Sequence, residues 1–365
     1  MWMPCYHPLI AVDVGQRSPA GKPLYRIAGC PPDLRPGAPG SEHVRFLDIT
    51  CGFAPCGSDR GFPYTIVPCG KCVGCRMEYS RQWANRCMLE LEYHDSAYFV
   101  TLTYDDYHVP QSYYADPDTG EAQVSLTLCK RDLQLFMKRL RARFSDDNIR
   151  FFACGEYGPS TWRPHYHLII FGLHLNDLVW KGKRRGNDFY ASPSLERCWS
   201  THSKMTNLFG EECVTPLAPI GFVEVGEVTW ESCAYTARYI MKKLKGADAD
   251  FYDQFGLTPP FTLMSRNPGL ARQWYEDHPH INEYEYINLK TPTGGLKFRP
   301  PQYYTDLFDG DFPEESKIYK ENRKRLAEAA TRLKLQRTDM SYLEYLAVEE
   351  NKLKSRTKSL LREEI

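Results

Sequence analysis

The stretch Trp162-Arg163-Pro164-His165-Tyr166-His167-Leu168-Ile169-Ile170-Phe171-Gly172 constrains this chain more than any other, because it sets two histidines one residue apart at the head of an apolar run. β-Branched and aromatic residues dominate the run and glycine closes it, which predicts a strand. Side chains at i and i+2 of a strand share a face. His165 and His167 are therefore expected on one side of a sheet and Tyr166 on the other. Two imidazoles side by side can grip one metal ion, but they can equally be structural histidines hydrogen-bonded at a strand start. The deciding factor is what the fold brings near them.

The segment Arg150 to Gly158 predicts a second strand, broken by Gly158-Pro159-Ser160 just before the histidine strand, so the two should be antiparallel neighbours. Glu156, nine residues before His165, would then lie beside the histidines and complete a three-ligand set. Two imidazoles and one carboxylate leave coordination positions open. A mixed nitrogen and oxygen set takes Mg²⁺ or Mn²⁺, especially when phosphate oxygens supply the remaining ligands, and it also suits zinc.

Further strands are expected over Tyr98–Tyr104 and Gly221–Val228, and helices over Arg76–His94, Thr127–Phe144 and Trp230–Lys245. The second helix carries Leu133, Phe136, Met137 and Leu140 on one side with Lys and Arg opposite. The third is preceded by Thr229 as a cap and stopped by Gly246. Strand, helix, strand, strand, then strand, helix is the order of an α+β fold, a central antiparallel sheet with helices packed on one face.

On the third helix Tyr235 and Tyr239 are four residues apart and Lys242 is three further on, so the three side chains emerge from one face. A phenolate can attack a phosphodiester, giving a covalent phosphotyrosine and a free 3′ hydroxyl, and a nearby cationic side chain favours that attack. The plain alternative is interface packing, since the chain holds 24 tyrosines.

At 365 residues and 42% hydrophobic content the chain can bury a large core, and no apolar run approaches the roughly 20 residues of a membrane span. Its start has no basic segment leading into an apolar one, which reads as a soluble, unexported protein. Formal net charge is zero, so any attraction to nucleic acid must be local. Basic residues gather in Lys130–Arg150, Lys181–Arg185 and Arg238–Lys245. An odd total of 13 cysteines fits reduced thiols, some of them metal ligands. Cys69, Cys72 and Cys75 have the two-residue gaps of thiolate ligands for a structural zinc, with a fourth from Cys5, His7, Cys51, Cys56 or Cys87. Three reduced cysteines in a glycine-rich turn, or an iron–sulfur cluster, are the other readings.

Phe99-Val100-Thr101-Leu102-Thr103-Tyr104, then Pro164-His165-Tyr166-His167-Leu168-Ile169, then Tyr235-Thr236-Ala237-Arg238-Tyr239-Ile240-Met241-Lys242 resemble the three ordered motifs of the HUH endonuclease superfamily. Together with Pro68-Cys69-Gly70-Lys71-Cys72-Val73-Gly74-Cys75 and Arg81-Gln82-Trp83-Ala84, the tandem tyrosines resemble more narrowly the rolling-circle initiators of the gokushovirus group of microviruses. The similarity covers about Cys69 to Gly246.

The resemblance implies an RRM- or ferredoxin-like topology and a metal-dependent enzyme that nicks and rejoins single-stranded DNA at the phage origin. Tyr235 and Tyr239 would be the nucleophiles, with Lys242 completing the Tyr-x-x-Lys form after Tyr239. His165 and His167 would hold the metal, with Glu156 as third ligand. The implied partners are origin DNA as single strand and as double-stranded replicative form, with host polymerase and, in the absence of an ATP-binding Gly-x-x-x-x-Gly-Lys-Ser/Thr loop, a host helicase, all in the bacterial cytoplasm. A non-catalytic zinc-containing DNA-binding module, or an HUH transposase or relaxase, are the competing readings. The expected organisation is a Cys-, Pro- and Gly-rich region over 1–75, an HUH domain over 76–246, an irregular connection over 247–312 and a charged, exposed helical tail over 313–365.

Overall fold

The computed structural model describes residues 5–19, 21, 23–32, 34, 36, 43–44, 62–158, 160–184, 186–202, 204–206, 212–214, 217–238, 249–281, 284–291 and 294–362. Its elements begin with strands β1 (Leu9–Arg17), β2 (Pro23–Gly29), β3 (His43–Val44) and β4 (Phe62–Val67), then helix α1 (Val73–Leu91) and β5 (Ala97–Thr103). The hairpin β6 (Gln111–Ala115) and β7 (Ala122–Leu126) leads to α2 (Lys130–Arg143), β8 (Arg150–Tyr157) and β9 (Pro164–Phe171). After the hairpin β10 (Val179–Arg184) and β11 (Asn187–Ala191) come α3 (Pro193–Cys198), the short strands β12 (Ser200–Thr201), β13 (Lys204–Thr206), β14 (Glu212–Val214) and β15 (Ala218–Pro219), then β16 (Val223–Gly226) and α4 (Trp230–Arg238). The remainder holds α5 (Asp250–Gln254), β17 (Phe261–Met264), α6 (Arg272–Asp277), the hairpin β18 (Ile287–Thr291) and β19 (Gly294–Phe298), and helices α7 (Gln302–Asp311), α8 (Pro313–Leu335) and α9 (Tyr342–Arg362).

The chain divides into two compact units, one of Met1–Glu78 with Tyr303–Glu364 and one of Tyr79–Gln302. The second is built on a seven-stranded sheet of order β10-β11-β16-β5-β9-β8-β17, antiparallel at each pairing. This is the α+β fold with a central antiparallel sheet that the residue pattern predicts. Strand parity assigns its two faces. Val100, Leu102, Ala153, Tyr166, Leu168, Ile170 and Val225 point one way and meet Leu133, Phe136, Met137 and Leu140 of α2 and Leu195 and Trp199 at α3 in a single apolar cluster. The alternate residues Thr101, Cys154, Glu156, His165 and His167 point the other way.

That second face also carries helices. Trp83 of α1 stacks on Phe152 of β8 with ring centroids 4.7 Å apart, and Tyr235 of α4 packs on His167. The α2 and α3 layer is thus matched by an α1 and α4 layer, with the histidines beneath α4. β9 ends at Gly172, whose φ of +66° suits glycine, and a Cβ there would approach the Asn148 carbonyl oxygen to 2.7 Å.

Residues 247–312, expected to be irregular, instead contain regular elements, and β17 forms the edge of the large sheet against β8. Its four residues, Phe261-Thr262-Leu263-Met264, are too short a run to register as a period between prolines.

In the first unit β2, β1, β4 and β3 form a four-stranded sheet whose core is Ile10, Val12 and Leu34. The tail expected to be exposed divides in character: α8 buries only Ser316, whereas α9 packs Tyr342, Leu343, Leu346 and Leu353 around Cys5, Tyr6 and Cys72.

Candidate active site

β8 and β9 pair so that Glu156 stands directly opposite His165 and Cys154 opposite His167, while β5 on the other flank sets Thr101 opposite His167. The Glu156 Oε1 atom lies 2.7 Å from His165 Nε2 and 3.1 Å from His167 Nε2. These three ligand atoms form a group able to hold a metal ion. Glu156 is 3% exposed, and its Oε2 atom is buried with no hydrogen-bond partner among the described residues. Burial pushes the Glu156 carboxyl up, but the hydrogen bonds and charge of His165 and His167 outweigh it and hold the group below the ordinary carboxylate range.

The outer ring nitrogens are also engaged. His167 Nδ1 is 3.0 Å from Thr101 Oγ1, and His165 Nδ1 is 3.2 Å from the Arg163 carbonyl oxygen. His165 is thereby flanked by acceptors at both nitrogens. A cation at Nε2 lets a neutral imidazole keep its one proton on Nδ1 for the Arg163 carbonyl, the arrangement in which metal-bound histidines are usually held. The 2.7 and 3.1 Å separations are close to the cis edge of about 3.0 Å in an octahedral shell with bonds of roughly 2.1 Å. An orphaned carboxylate oxygen, two convergent imidazoles and fixed outer nitrogens fit a divalent cation.

α4 brings the phenol. Its start is fixed by a reciprocal pair in which the Ser232 amide donates to Thr229 Oγ1 at 3.2 Å and the Thr229 amide donates to Ser232 Oγ at 2.9 Å. Two α1 side chains hold it, Ser80 Oγ donating to the Ala234 carbonyl at 2.7 Å and Asn85 Oδ1 accepting from Trp230 Nε1 at 2.9 Å. Cys233, Ala234, Thr236 and Ala237 are buried, and Tyr235 is half-buried with its ring edge-on to His167 at 5.1 Å. Phe99 stacks on the same imidazole at 5.6 Å and meets Tyr235 at 6.3 Å. Tyr239 and Lys242 lie outside the described residues.

The basic cluster on α2 is not brought to this face. Arg139 donates to the Cys198 carbonyl and Arg143 to Ser194 Oγ, ties made on the opposite side of the sheet. In the second cluster Lys183 pairs with Asp188 and Arg184 with Glu224, and Arg185 lies outside the described residues, as does the third cluster beyond Arg238. Thr101 and Phe99 received no individual role from the sequence. Their signal was the register itself, since residues of one parity on a neighbouring strand must face His167.

Cys69, Cys72 and Cys75 come together in the first unit, and Cys5 joins them, so that the four sulfurs form a second group able to hold a metal. Of the other residues considered as a fourth ligand, Cys51 and Cys56 lie outside the described residues, His7 binds Glu350 at 2.8 Å, and Cys87 belongs to the other unit.

The antiparallel α+β sheet with a His-x-His strand at its centre is consistent with the HUH-type class. The sequence model of the ORF2 family of replication-associated proteins matches residues 97–244, the segment from β5 through α4. Replication-associated protein ORF2 of Spiroplasma virus 4 is 30% identical over 81% of this chain and 85% of its own length. Replication-associated protein VP4 of Bdellovibrio phage phiMH2K is 29% identical over 73% of this chain and 76% of its own. Replication-associated protein ORF4 of Chlamydia phage 1 is 27% identical over 71% and 59%. No solved structure matches the chain. The chain belongs to the family of phage replication-associated proteins. No helix among the described residues is long and apolar enough to cross a membrane.

Proposed function

We propose that this protein initiates rolling-circle replication by nicking the phage origin and later rejoining it, with tyrosines as nucleophiles. The observation that carries the reading is the placement of the Tyr235 ring against His167, one of the imidazoles that converge on Glu156. A binding module has no use for a phenol at that spot.

His165, His167 and Glu156 would hold Mg²⁺ or Mn²⁺, which when bound polarises the scissile phosphate and offsets the charge gathering on its oxygens. Thr101 and the Arg163 carbonyl orient the two imidazoles. Tyr235 and Tyr239 are the nucleophiles, and Lys242 favours the phenolate. A phenolic oxygen forms the new bond to phosphorus, the 3′ oxygen leaves and takes up a proton, and the protein retains the 5′ phosphate as a tyrosyl phosphodiester. Reversal by a 3′ hydroxyl reseals the strand. Two tyrosines permit one strand end to stay attached while the regenerated origin is cut. Host polymerase extends the free 3′ end, and a host helicase opens the replicative form.

The test is to incubate origin-bearing single-stranded DNA with the protein and Mg²⁺ or Mn²⁺. A detergent-resistant adduct is expected, mapping by peptide analysis to Tyr235 or Tyr239 and absent with EDTA. Lack of an adduct with every divalent metal tried, from DNA the protein binds, removes the enzymatic reading.

A further inference from the structure

The geometry points to a structural Zn²⁺ site in the first unit, formed by Cys5, Cys69, Cys72 and Cys75 and independent of the proposed nicking site. Cys5 is separated by 64 residues from the nearest of the others in sequence, yet its sulfur accepts a hydrogen bond from the Cys69 amide at 3.2 Å. The Cys5 and Cys72 sulfurs are 3.9 Å apart and those of Cys69 and Cys75 4.0 Å apart. Four thiolates at about 2.3 Å from a tetrahedral Zn²⁺ have sulfur–sulfur edges of about 3.8 Å. The cluster is therefore already shaped as that tetrahedron.

The backbone supports the same ion. The amides of Lys71 and Cys72, two and three residues after Cys69, both point at Cys69 Sγ, at 3.4 and 3.3 Å, and the Tyr6 amide donates to Cys72 Sγ at 3.3 Å. Four thiolates around one dication carry an excess of negative charge, and amides directed at sulfur spread it. Cys72 immediately precedes α1 and Cys75 lies in its first turn, where the helix N-terminus also favours thiolates. The Cys72 thiol is drawn below its ordinary value, chiefly by hydrogen bonds from Cys5 and Cys75. Soft sulfur donors in a closed set of four, with no oxygen or open position, select zinc and a structural role.

The role follows from what surrounds the sulfurs. Tyr6, Cys72 and Leu346 are buried together, with Val73, Tyr342, Leu343, Tyr345 and Leu353 packed about them, and His7 is tied to Glu350 at 2.8 Å. The ion fixes the N-terminal segment to the head of α1 and gives α9 a rigid surface to cover. Zinc loss therefore loosens α9.

The test uses the full-length His165→Ala/His167→Ala variant, so that the only metal counted is the one on cysteine. Elemental analysis is expected to give one zinc per chain, and Co²⁺ exchange to give the intense visible bands and sulfur-to-cobalt charge transfer of a tetrahedral four-thiolate centre. A mercurial should release the zinc together with four thiols and open the α9 segment to trypsin. Cys5→Ser should weaken Zn²⁺ binding by roughly 100-fold or more, beyond the 10–100-fold typical of outer-shell changes. If Cys5→Ser does not fold, the cobalt spectrum and mercurial count on the cysteine-intact protein still decide. Folded protein with four titratable thiols and no metal overturns the proposal. So do disulfides among these cysteines, an iron cluster, a cobalt spectrum lacking four-sulfur character, or a folded Cys5→Ser that keeps zinc at unchanged affinity.

Discussion

Tyr235 stands edge-on to His167, with ring centroids 5.1 Å apart and planes at 74°. The contact is made by the ring and leaves the hydroxyl for chemistry, so Tyr235→Phe should preserve the packing and change stability by less than about 0.5 kcal/mol. In origin-DNA assays this variant is expected to lose the adduct peptide containing residue 235 and the second of two coupled cleavages, while Tyr239 still forms an adduct. The Tyr235→Phe/Tyr239→Phe double variant should form none. A single variant that completes both cleavages at the normal rate would show that Tyr235 is only a packing residue.

Thr101 orients His167 through the 3.0 Å contact between its Oγ1 and the imidazole Nδ1. Thr101→Val keeps the shape of the side chain and removes that partner. Loss of such an outer ligand commonly costs 10–100-fold in metal affinity, and a drop in this range is expected for Mn²⁺ followed by electron paramagnetic resonance. Unchanged Mn²⁺ affinity in folded Thr101→Val protein would mean that the hydroxyl does not set the imidazole.

Much of this site was readable because it depends on short-range rules. Alternation along β9 sent His165 and His167 to one face, and the short break at Gly158 forced β8 back alongside it, which put Glu156 opposite His165. Spacing on a helix placed Tyr235 on a definite stripe, but no local rule said that α4 would lie on the histidine face. That choice depends on α1, whose Ser80 and Asn85 hold α4 there. The same limit hid Cys5: its partners lie more than 60 residues away, and several other residues could have closed the set. β1 pairs with β4 across an equally long separation, which is why the N-terminal sheet was not legible as a unit.

Glu90 predicts how stability depends on pH. Its carboxylate is buried and receives Arg150 Nε, His94 Nε2 and the Ala271 amide. Burial pushes its carboxyl up, but the His94 and Ala271 hydrogen bonds and the Arg150 charge outweigh that, leaving the folded value below the ordinary one. A depressed folded value stabilises the protein fully above the ordinary carboxylate pKa of about 4.3 and loses that effect as pH falls through the folded value. Breaking one side of a buried ion pair costs on the order of 3 kcal/mol. Glu90→Gln should therefore be less stable by about that amount at pH 7 in denaturant unfolding, with the two curves converging in acid. A difference that stays constant from neutral pH into the acid range would rule the linkage out.

Tyr166 separates the requirements of the two sheet faces, since it sits between His165 and His167 but points into the opposite core and is fully buried. Its hydroxyl accepts from the Cys129 amide at 2.9 Å, donates to the Cys129 carbonyl at 2.9 Å and lies 2.9 Å from Tyr104 Oη. Cys129 is the N-cap of α2 and makes no side-chain capping bond, so Tyr166 supplies the acceptor that a Ser or Asp cap would otherwise provide. Tyr104 retains Asp132 as its own acceptor at 2.7 Å. Tyr166→Phe leaves the Cys129 amide unpaired, at a cost of about 1–3 kcal/mol, or a fall of roughly 3–10 °C in Tm. The imidazoles face away from that change, so Mn²⁺ affinity measured well below the transition should match the parent. A variant of unaltered Tm would mean that the α2 start finds another acceptor, and a variant with weakened Mn²⁺ binding would mean that the two faces of β9 are coupled through its backbone.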